Sequence, residues 1–177
     1  PSADADLGSI IIFNDSGTLK YRNQSGSEVT LNGLIPNLTQ TTENTGLGVD
    51  ALANLLSGQN NTAFGYNSLT SLTSGGDNTA VGDRTLADLT TGARNVAIGN
   101  VAGESVDTAN DCVLIGDQAG NALVTGSSNV IIGSAAGTLC TTSNNVLLGY
   151  QAGSVMTTAA SVVSVSYTHL RAHETRG

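Results

Sequence analysis

The sequence predicts an all-β fold, a parallel β-solenoid, from three features of its central region. First, a glycine recurs every seventeen residues, with a last interval of sixteen: Gly48, Gly65, Gly82, Gly99, Gly116, Gly133 and Gly149. Second, each glycine ends a short segment of small and apolar residues. Third, the position seven residues after the glycine is apolar in every copy: Leu55, Leu72, Leu89, Val106, Leu123, Cys140 and Met156. A repeat this short indicates coils that bury their apolar faces against neighbouring coils.

The segment before each glycine is predicted to be a strand. It begins with asparagine in every copy except the fifth, which has Cys112: Asn44, Asn61, Asn78, Asn95, Asn129 and Asn145. In Val96-Ala97-Ile98, as in the other copies, every position is apolar or small, so we expect the strand to be buried on both faces. Asparagine and glycine tolerate the left-handed backbone that a tight corner needs. We therefore predict structural roles for both sets of residues.

Two subfamilies of coil are visible at the position four residues after the coil glycine. The first three copies have Leu52, Leu69 and Leu86 there, and the last four have Gly103, Gly120, Gly137 and Gly153. Seventeen residues accommodate two short strands and two turns, which predicts a flat roll with a thin interior. Seven coils at a spacing of about 4.8 Å would form a rod of roughly 34 Å.

A thin roll with few aromatic residues is expected to gain stability by association. The chain has two phenylalanines, four tyrosines and no tryptophan. Strands that are apolar on both faces would suit a symmetry axis at which three chains share one core. The first predicted partner is therefore the chain itself, as a homotrimer.

The sequence divides into four regions. Residues 1–33 are predicted to form a β-meander, because turn residues separate three strand-like segments. Residues 34–43 form a polar linker, and residues 44–160 form the seven-copy array. Residues 161–177 are predicted to be an irregular tail. Within it, residues 166–177 resemble the translation of sequencing-adapter DNA, which would mean that the encoded protein is truncated.

Composition restricts the functional classes. The 177 residues carry a formal net charge of -8, with six basic and fourteen acidic residues. Only Lys20, Arg22, Arg84 and Arg94 are basic before residue 166, too few for a groove that follows a phosphate backbone, so no nucleic-acid partner is expected. The sequence has no run of about eighteen apolar residues, so membrane insertion is not predicted. Residues 1–6 lack the basic start and apolar core of a signal peptide, so either the chain begins within a longer protein or its export uses no such signal.

The repeat resembles that of a known class of fibre proteins. The unit Asn78-Thr79-Ala80-Val81-Gly82, followed by a small residue, is similar to repeats of trimeric viral and bacteriophage tail fibres and, more distantly, of trimeric autotransporter adhesin heads. Residues 44 to about 157 carry this resemblance. It implies a left-handed parallel β-roll in an intertwined homotrimer, located outside the cell or on a virion surface, with a host surface glycan or receptor as partner. It also likens the meander from Ile10 to Leu31 to the small β units that precede such shafts.

The cysteines, histidines and turn aspartates are candidates for chemical roles, but the sequence does not predict a chemical site at any of them. Cys112 and Cys140 fall at different points of the coil, so we expect small buried apolar roles, with a cross-chain disulfide as the alternative. His169 and His173 have a spacing that could hold a metal on a helix, but they lie in the adapter-like segment, and no metal site is predicted. The turn acids lack the pattern of calcium-loaded solenoids and are expected to be solvated: Asp77, Asp83, Asp88, Asp107, Asp111 and Asp117. No cofactor is expected.

The chain is not predicted to be an enzyme. Without a histidine outside the tail, a Ser/His/Asp triad cannot form. Four sequons are candidate N-glycosylation sites if the source organism glycosylates such proteins: Asn14, Asn23, Asn37 and Asn60.

The leading functional hypothesis is a structural and adhesive fibre protein. A related hypothesis is an extracellular filament built by end-to-end stacking of coils. A third is an ice-binding solenoid, based on Thr45, Thr62 and Thr79 at one position. Valine takes this position in the next four copies, which suggests that the column points into a core. A fourth, a sugar-acting β-helix enzyme, would need a carboxylate cluster that no spacing in the sequence singles out.

Overall fold

Two β-sheets make up the described fold. The computed structural model describes residues 11–15, 18–22, 28–30 and 43–166. The first sheet is an antiparallel meander of β1 (Ile11–Asp15), β2 (Thr18–Arg22) and β3 (Glu28–Thr30). The second contains eight parallel strands in chain order. They are β4 (Thr45–Leu47), β5 (Thr62–Phe64), β6 (Thr79–Val81), β7 (Val96–Ile98), β8 (Val113–Ile115), β9 (Val130–Ile132), β10 (Val146–Leu148) and β11 (Val163–Val165).

The predicted parallel β-solenoid is confirmed. Each strand of the second sheet pairs with the strand one repeat away, in register; for example, Ala80 pairs with Ala97. We number the coils from each strand-initial residue: coils 1 to 7 are residues 44–60, 61–77, 78–94, 95–111, 112–128, 129–144 and 145–161. The strand β11 pairs with β10, so the expectation that residues 161–177 are irregular is wrong for Val163–Val165, which continue the solenoid.

Each coil contains one three-residue strand, so the expectation of two strands per coil is wrong. The remainder of the coil consists of turns and bends, and it reverses direction through left-handed residues. In the stretch that includes coil 3, these are Asp77 (φ 60°), Gly82 (φ 140°), Arg84 (φ 48°) and Leu86 (φ 50°). Four such residues recur in each repeat. This number of reversals leaves no room for a second extended segment.

The coil glycines satisfy two requirements at once. Gly99 has φ 138°, a region that is essentially restricted to glycine. A Cβ atom on Gly99 would lie 2.4 Å from the carbonyl oxygen of Gly116 in the next coil. Because the parallel strands end in direct contact at this corner, a side chain there would also separate the coils.

The interior of the solenoid is one cluster of buried apolar side chains. The predicted apolar column seven residues after the coil glycine belongs to it: its five central members are fully buried, and Leu55 and Met156 pack against the cluster while partly exposed.

A single large side chain changes position between the two coil subfamilies. Coils 1 to 3 bury the leucine four residues after the coil glycine and have a small residue at the strand centre, such as Ala80 opposite Leu86. Coils 5 to 7 have glycine at the first position and bury Leu114, Ile131 or Leu147 at the strand centre. Besides the residue of the apolar column, each class therefore supplies one large side chain to the interior.

Steric contacts explain why the two positions change together. A Cβ atom on Gly120 would lie 2.9 Å from Leu114 in the same coil and 3.3 Å from Ile131 in the next coil. A Cβ atom on Gly103 would lie 2.5 Å from Leu114. A large strand-centre residue therefore crowds this position in its own coil and in the preceding coil, which favours glycine at both.

We expect Gly99→Ala to prevent formation of soluble, folded protein, because the added Cβ meets the backbone of the next coil and the backbone must also leave its glycine-only conformation. Soluble yield and circular dichroism measure this effect. Gly76→Ala is the control, since Gly76 lacks a positive φ and the equivalent residue of the next coil is Ala93. Normal folding of Gly99→Ala would contradict the proposed role of the coil glycine.

Candidate functional site

The strand-initial asparagines form a buried hydrogen-bonded ladder inside the solenoid. All six are nearly or completely buried. The Oδ1 atom of Asn61 accepts hydrogen bonds from the backbone nitrogen and from Nδ2 of Asn78, both at 3.0 Å. The Nδ2 atom of Asn61 donates to Asn44 Oδ1 at 3.0 Å and to the Gly75 carbonyl oxygen at 2.9 Å. The amide is thus fully hydrogen-bonded, which a buried polar group needs.

Cys112 interrupts this ladder in coil 5. Its backbone nitrogen still donates to Asn95 Oδ1 at 3.0 Å, and its thiol lies 3.5 Å from the Gly126 carbonyl oxygen, in place of an asparagine amide. Burial raises the pKa of the Cys112 thiol, against the opposing effect of hydrogen bonds from Asn129.

Neither cysteine forms a disulfide in the single chain. Cys112 and Cys140 are both buried and both free, in different coils and at different positions of the repeat. Their interpretation as small buried residues agrees with this placement.

The outer face of the second sheet is a continuous, mostly apolar surface that the repeat produces. We call the outward side chains of β4–β11 the outer ribbon. Its first column is Thr45, Thr62, Thr79, Val96, Val113, Val130, Val146 and Val163. Its second column is Leu47, Phe64, Val81, Ile98, Ile115, Ile132, Leu148 and Val165. No member of either column is charged.

The prediction that both strand faces are buried is wrong for the single chain. The central residue of β5–β10 is buried, but the first and third residues are half-buried or exposed. Leu47, Phe64, Val81, Ile98 and Ile132 expose 36% to 51% of their surface. The alternation follows from the strand geometry, since successive side chains point to opposite faces.

The column that contains the three threonines also lies on the outer face rather than in the core. Thr45 is exposed, and Thr62 and Thr79 are half-buried. The valines that follow them are also directed outward. The first column of the outer ribbon therefore changes from threonine in β4–β6 to valine in β7–β11.

Charged side chains at a turn connect neighbouring coils. Arg94 contacts Asp111 through two hydrogen bonds, Nε to Oδ1 at 2.6 Å and Nη2 to Oδ2 at 2.9 Å. The hydrogen bond from Arg94 lowers the pKa of Asp111, and the same bond raises the pKa of Arg94. Because the pKa of Asp111 is lower in the folded chain, the pair favours folding above the ordinary carboxyl pKa, and this contribution is lost as the pH falls through the folded-state value.

Sequence analysis did not identify these connections, although their spacing was available. Arg94 and Asp111 are seventeen residues apart, as are Asn60 and Asp77, whose side chains lie 3.1 Å apart. In a parallel solenoid, polar residues one period apart are neighbours. Asp77 and Asp111 are exposed turn carboxylates, and each also bonds to a side chain in the preceding coil.

The other candidate residues are dispersed. The side chain of Asn60 is exposed at a turn. Asn14 lies in β1, and Asn23, Asn37, His169 and His173 lie outside the described residues. In the described ranges, no group of three or more His, Cys, Asp or Glu residues could hold a metal ion. The same residues contain no helix of the length and apolar character that crossing a membrane requires.

Comparison of the chain with family models, curated proteins and solved structures finds no match.

Asn78→Ala should lower the free energy of unfolding by about 3 kcal/mol or more, because several buried partners lose a hydrogen bond at about 1–3 kcal/mol each. The partners are the Asn95 backbone and side-chain amides, the Gly92 carbonyl and Asn61 Oδ1. Denaturant unfolding measures the change. Asn100→Ala is the control, because Asn100 is exposed and bonds to Asp117 at the surface. Equal effects of the two variants would argue against the ladder as a major source of stability.

Arg94→Asn should return the pKa of Asp111 towards its ordinary value, because it removes the hydrogen-bonding partner. NMR titration of the carboxyl carbon measures this pKa. Asparagine occupies the equivalent position in coil 1, as Asn60, so the left-handed backbone is retained. Arg84→Asn serves as the control, since Arg84 contacts Asp83 and Glu104 instead. A persistently low pKa in Arg94→Asn would mean that another group stabilises the carboxylate.

Proposed function

We propose that this chain is a structural and adhesive fibre protein, in which three copies associate through their outer ribbons. The trimer is a shaft or head on a virion or cell surface, and its remaining surface binds a host glycan or surface protein. The observation that carries the proposal is the outer ribbon itself: two uncharged columns, mostly apolar, that extend over eight strands.

The ribbon favours association because apolar surface is stabilised by removal from water. A fully buried aliphatic side chain contributes roughly 1.5–3 kcal/mol relative to an exposed one. Here the exposed side chains are contiguous along the sheet, which distinguishes them from the isolated exposed leucines found on most proteins. In the single chain these side chains remain exposed to water, so this stabilisation is available only on association.

A second copy is a better partner for the ribbon than an unrelated protein. The two columns repeat with the period of the solenoid, so a parallel copy presents a matching side chain at every coil. The ribbon is only two side chains wide, and around a three-fold axis each ribbon can contact both others. Closed symmetry of this kind also limits the assembly to a fixed size.

The surfaces away from the ribbon suit a soluble, displayed particle. The turns carry exposed polar side chains, including Asp83, Asn100 and Asp117 at the position after the coil glycine. Exposed tyrosines, Tyr66 and Tyr150, occupy the same position in coils 2 and 7. A tyrosine has an apolar ring and a polar hydroxyl, which suits a receptor with both apolar and polar groups, and a glycan is one class of receptor of this kind.

Ile98→Lys should dissociate the trimer without unfolding the chain, because it places a charge at the centre of the ribbon but outside the monomer core. Light scattering should yield three times the chain mass of 17.8 kDa for the unaltered protein and a lower mass for the variant. Circular dichroism monitors folding. Asn100→Lys, two residues away and outside the ribbon, should remain trimeric.

A monomeric unaltered protein would reject the trimer, and a trimer that binds no member of a glycan array or panel of host-surface proteins would reject the adhesive role. The two results are separable because mass and binding are measured independently.

A second candidate function is filament formation by end-to-end stacking. In the described sheet, β4 and β11 are the terminal strands, each with one paired neighbour. Unpaired strand edges are templates for pairing with another chain. Particles of one fixed length in electron micrographs would exclude this function, whereas particles of variable length would support it.

A further inference from the structure

Coil 4 has the smallest side chains at the three main interior positions. Its strand centre is Ala97, the residue four after its coil glycine is Gly103, and the residue seven after it is Val106. Coils 3 and 5 each have leucine at two of these positions. At these three positions coil 4 therefore supplies less apolar side chain than either neighbour, although it also buries Val101 and Ala109, whose equivalents in coils 3 and 5 are polar residues or glycine.

The change of subfamily imposes this composition. Leu114 in coil 5 occupies the space beside Gly103, so coil 4 must have glycine there. Leu86 in coil 3 lies on the other side of Gly103, where its Cδ2 atom would be 3.0 Å from an added Cβ. By the steric crowding described above, a large residue in place of Ala97 would conflict with Leu86. One coil with neither large side chain must separate the two classes.

The hydrogen-bonded ladder is weakened at the same place. Cys112, the first residue of coil 5, lacks the side-chain amide that would donate to Asn95 Oδ1, so Asn95 accepts a bond from the Cys112 backbone alone. In the regular part of the ladder the same atom accepts two bonds. The small core residues of coil 4 and the missing hydrogen bond of the ladder thus both weaken the interface between coils 4 and 5.

Surface contacts to coil 3 offset the small core only weakly. Arg94 pairs with Asp111, Arg84 lies 3.4 Å from Glu104, and Thr90 donates to Asp107 at 2.6 Å. Both ion pairs involve partly exposed side chains, and exposed pairs contribute little to stability. They act towards coil 3; towards coil 5 the surface contacts are two hydrogen bonds, from Asn100 Nδ2 to Asp117 Oδ1 at 2.8 Å and from the Asn110 backbone nitrogen to Ser127 Oγ at 3.0 Å.

We propose that coil 4 is a preset opening point, at which the solenoid separates into two cooperative blocks, coils 1–3 and coils 5–7, before it unfolds completely. Stability in a solenoid is approximately the sum of coil and nearest-neighbour contributions, so one weak coil localises the opening. This inference concerns the single chain and does not depend on the proposed function.

The coil glycines provide matched reporters for hydrogen exchange in the full chain. The backbone amides of Gly82, Gly99, Gly116 and Gly133 each donate to the preceding coil at 2.7–2.9 Å. Gly99 and Gly116 report the two interfaces of coil 4, whereas Gly82 and Gly133 report interfaces outside it. We expect Gly99 and Gly116 to exchange faster by about tenfold or more, since neither of the two leucines that each neighbour has at these positions is present in coil 4, where valine replaces one of them.

Two variants test the cause. Cys112→Asn should slow exchange at Gly116, because it restores the ladder. The double variant Leu86→Gly/Ala97→Leu should transfer the small coil from position 4 to position 3, so that Gly82 exchanges faster and Gly116 more slowly. Circular dichroism confirms that each variant is folded.

Equal protection of the four glycine amides in the unaltered chain would overturn the proposal, as would a double variant whose fastest reporters remain Gly99 and Gly116. If the double variant does not fold, the test rests on Cys112→Asn. Unchanged exchange at Gly116 in that variant would then overturn the proposal.

Discussion

The buried asparagine ladder is the constraint on which the coil geometry depends. In its regular part, the amide oxygen of one coil accepts hydrogen bonds from both the backbone and the side chain of the next coil, as Asn61 does from Asn78. Asn78 also fixes the far turn of its own coil by donating to the Gly92 carbonyl. Because an unpaired buried amide is costly, neighbouring coils must keep the same register. The strand pairing and the stacked glycine corners follow from that register.

A thin interior makes the solenoid sensitive to the position of each large side chain. At each coil the interior has room for one large side chain from the strand or one from the turn. Leu114 is an example of the first arrangement and Leu86 of the second. Leu86 adopts φ 50°, an unfavourable backbone for leucine that the surrounding packing maintains. The strand arrangement avoids this strain because glycine replaces the turn leucine. The same cross-section is therefore filled in two ways along one molecule.

The repeat period allowed the fold to be predicted from sequence, but it did not determine which strand face is inside. The spacing of Gly82, Gly99 and Gly116 identifies coils, and the column that includes Leu89 identifies core. Val96 and Ile98 are as apolar as many core residues, yet strand geometry directs them outward when Ala97 points inward. Composition alone could not separate these faces, since all three residues are apolar. The pairing of Arg94 with Asp111 required the parallel register to be combined with the period.

The exchange of the large interior side chain also limits how such an array can lengthen. Duplication of coil 2 next to itself would repeat a compatible contact, and so would duplication of coil 6. A copy of coil 2 placed after coil 5 would set a turn leucine, equivalent to Leu69, against the strand leucine or isoleucine of the following coil. Gene rearrangement within either half is therefore structurally permitted, whereas exchange between the halves requires an intervening coil with the small residues of coil 4.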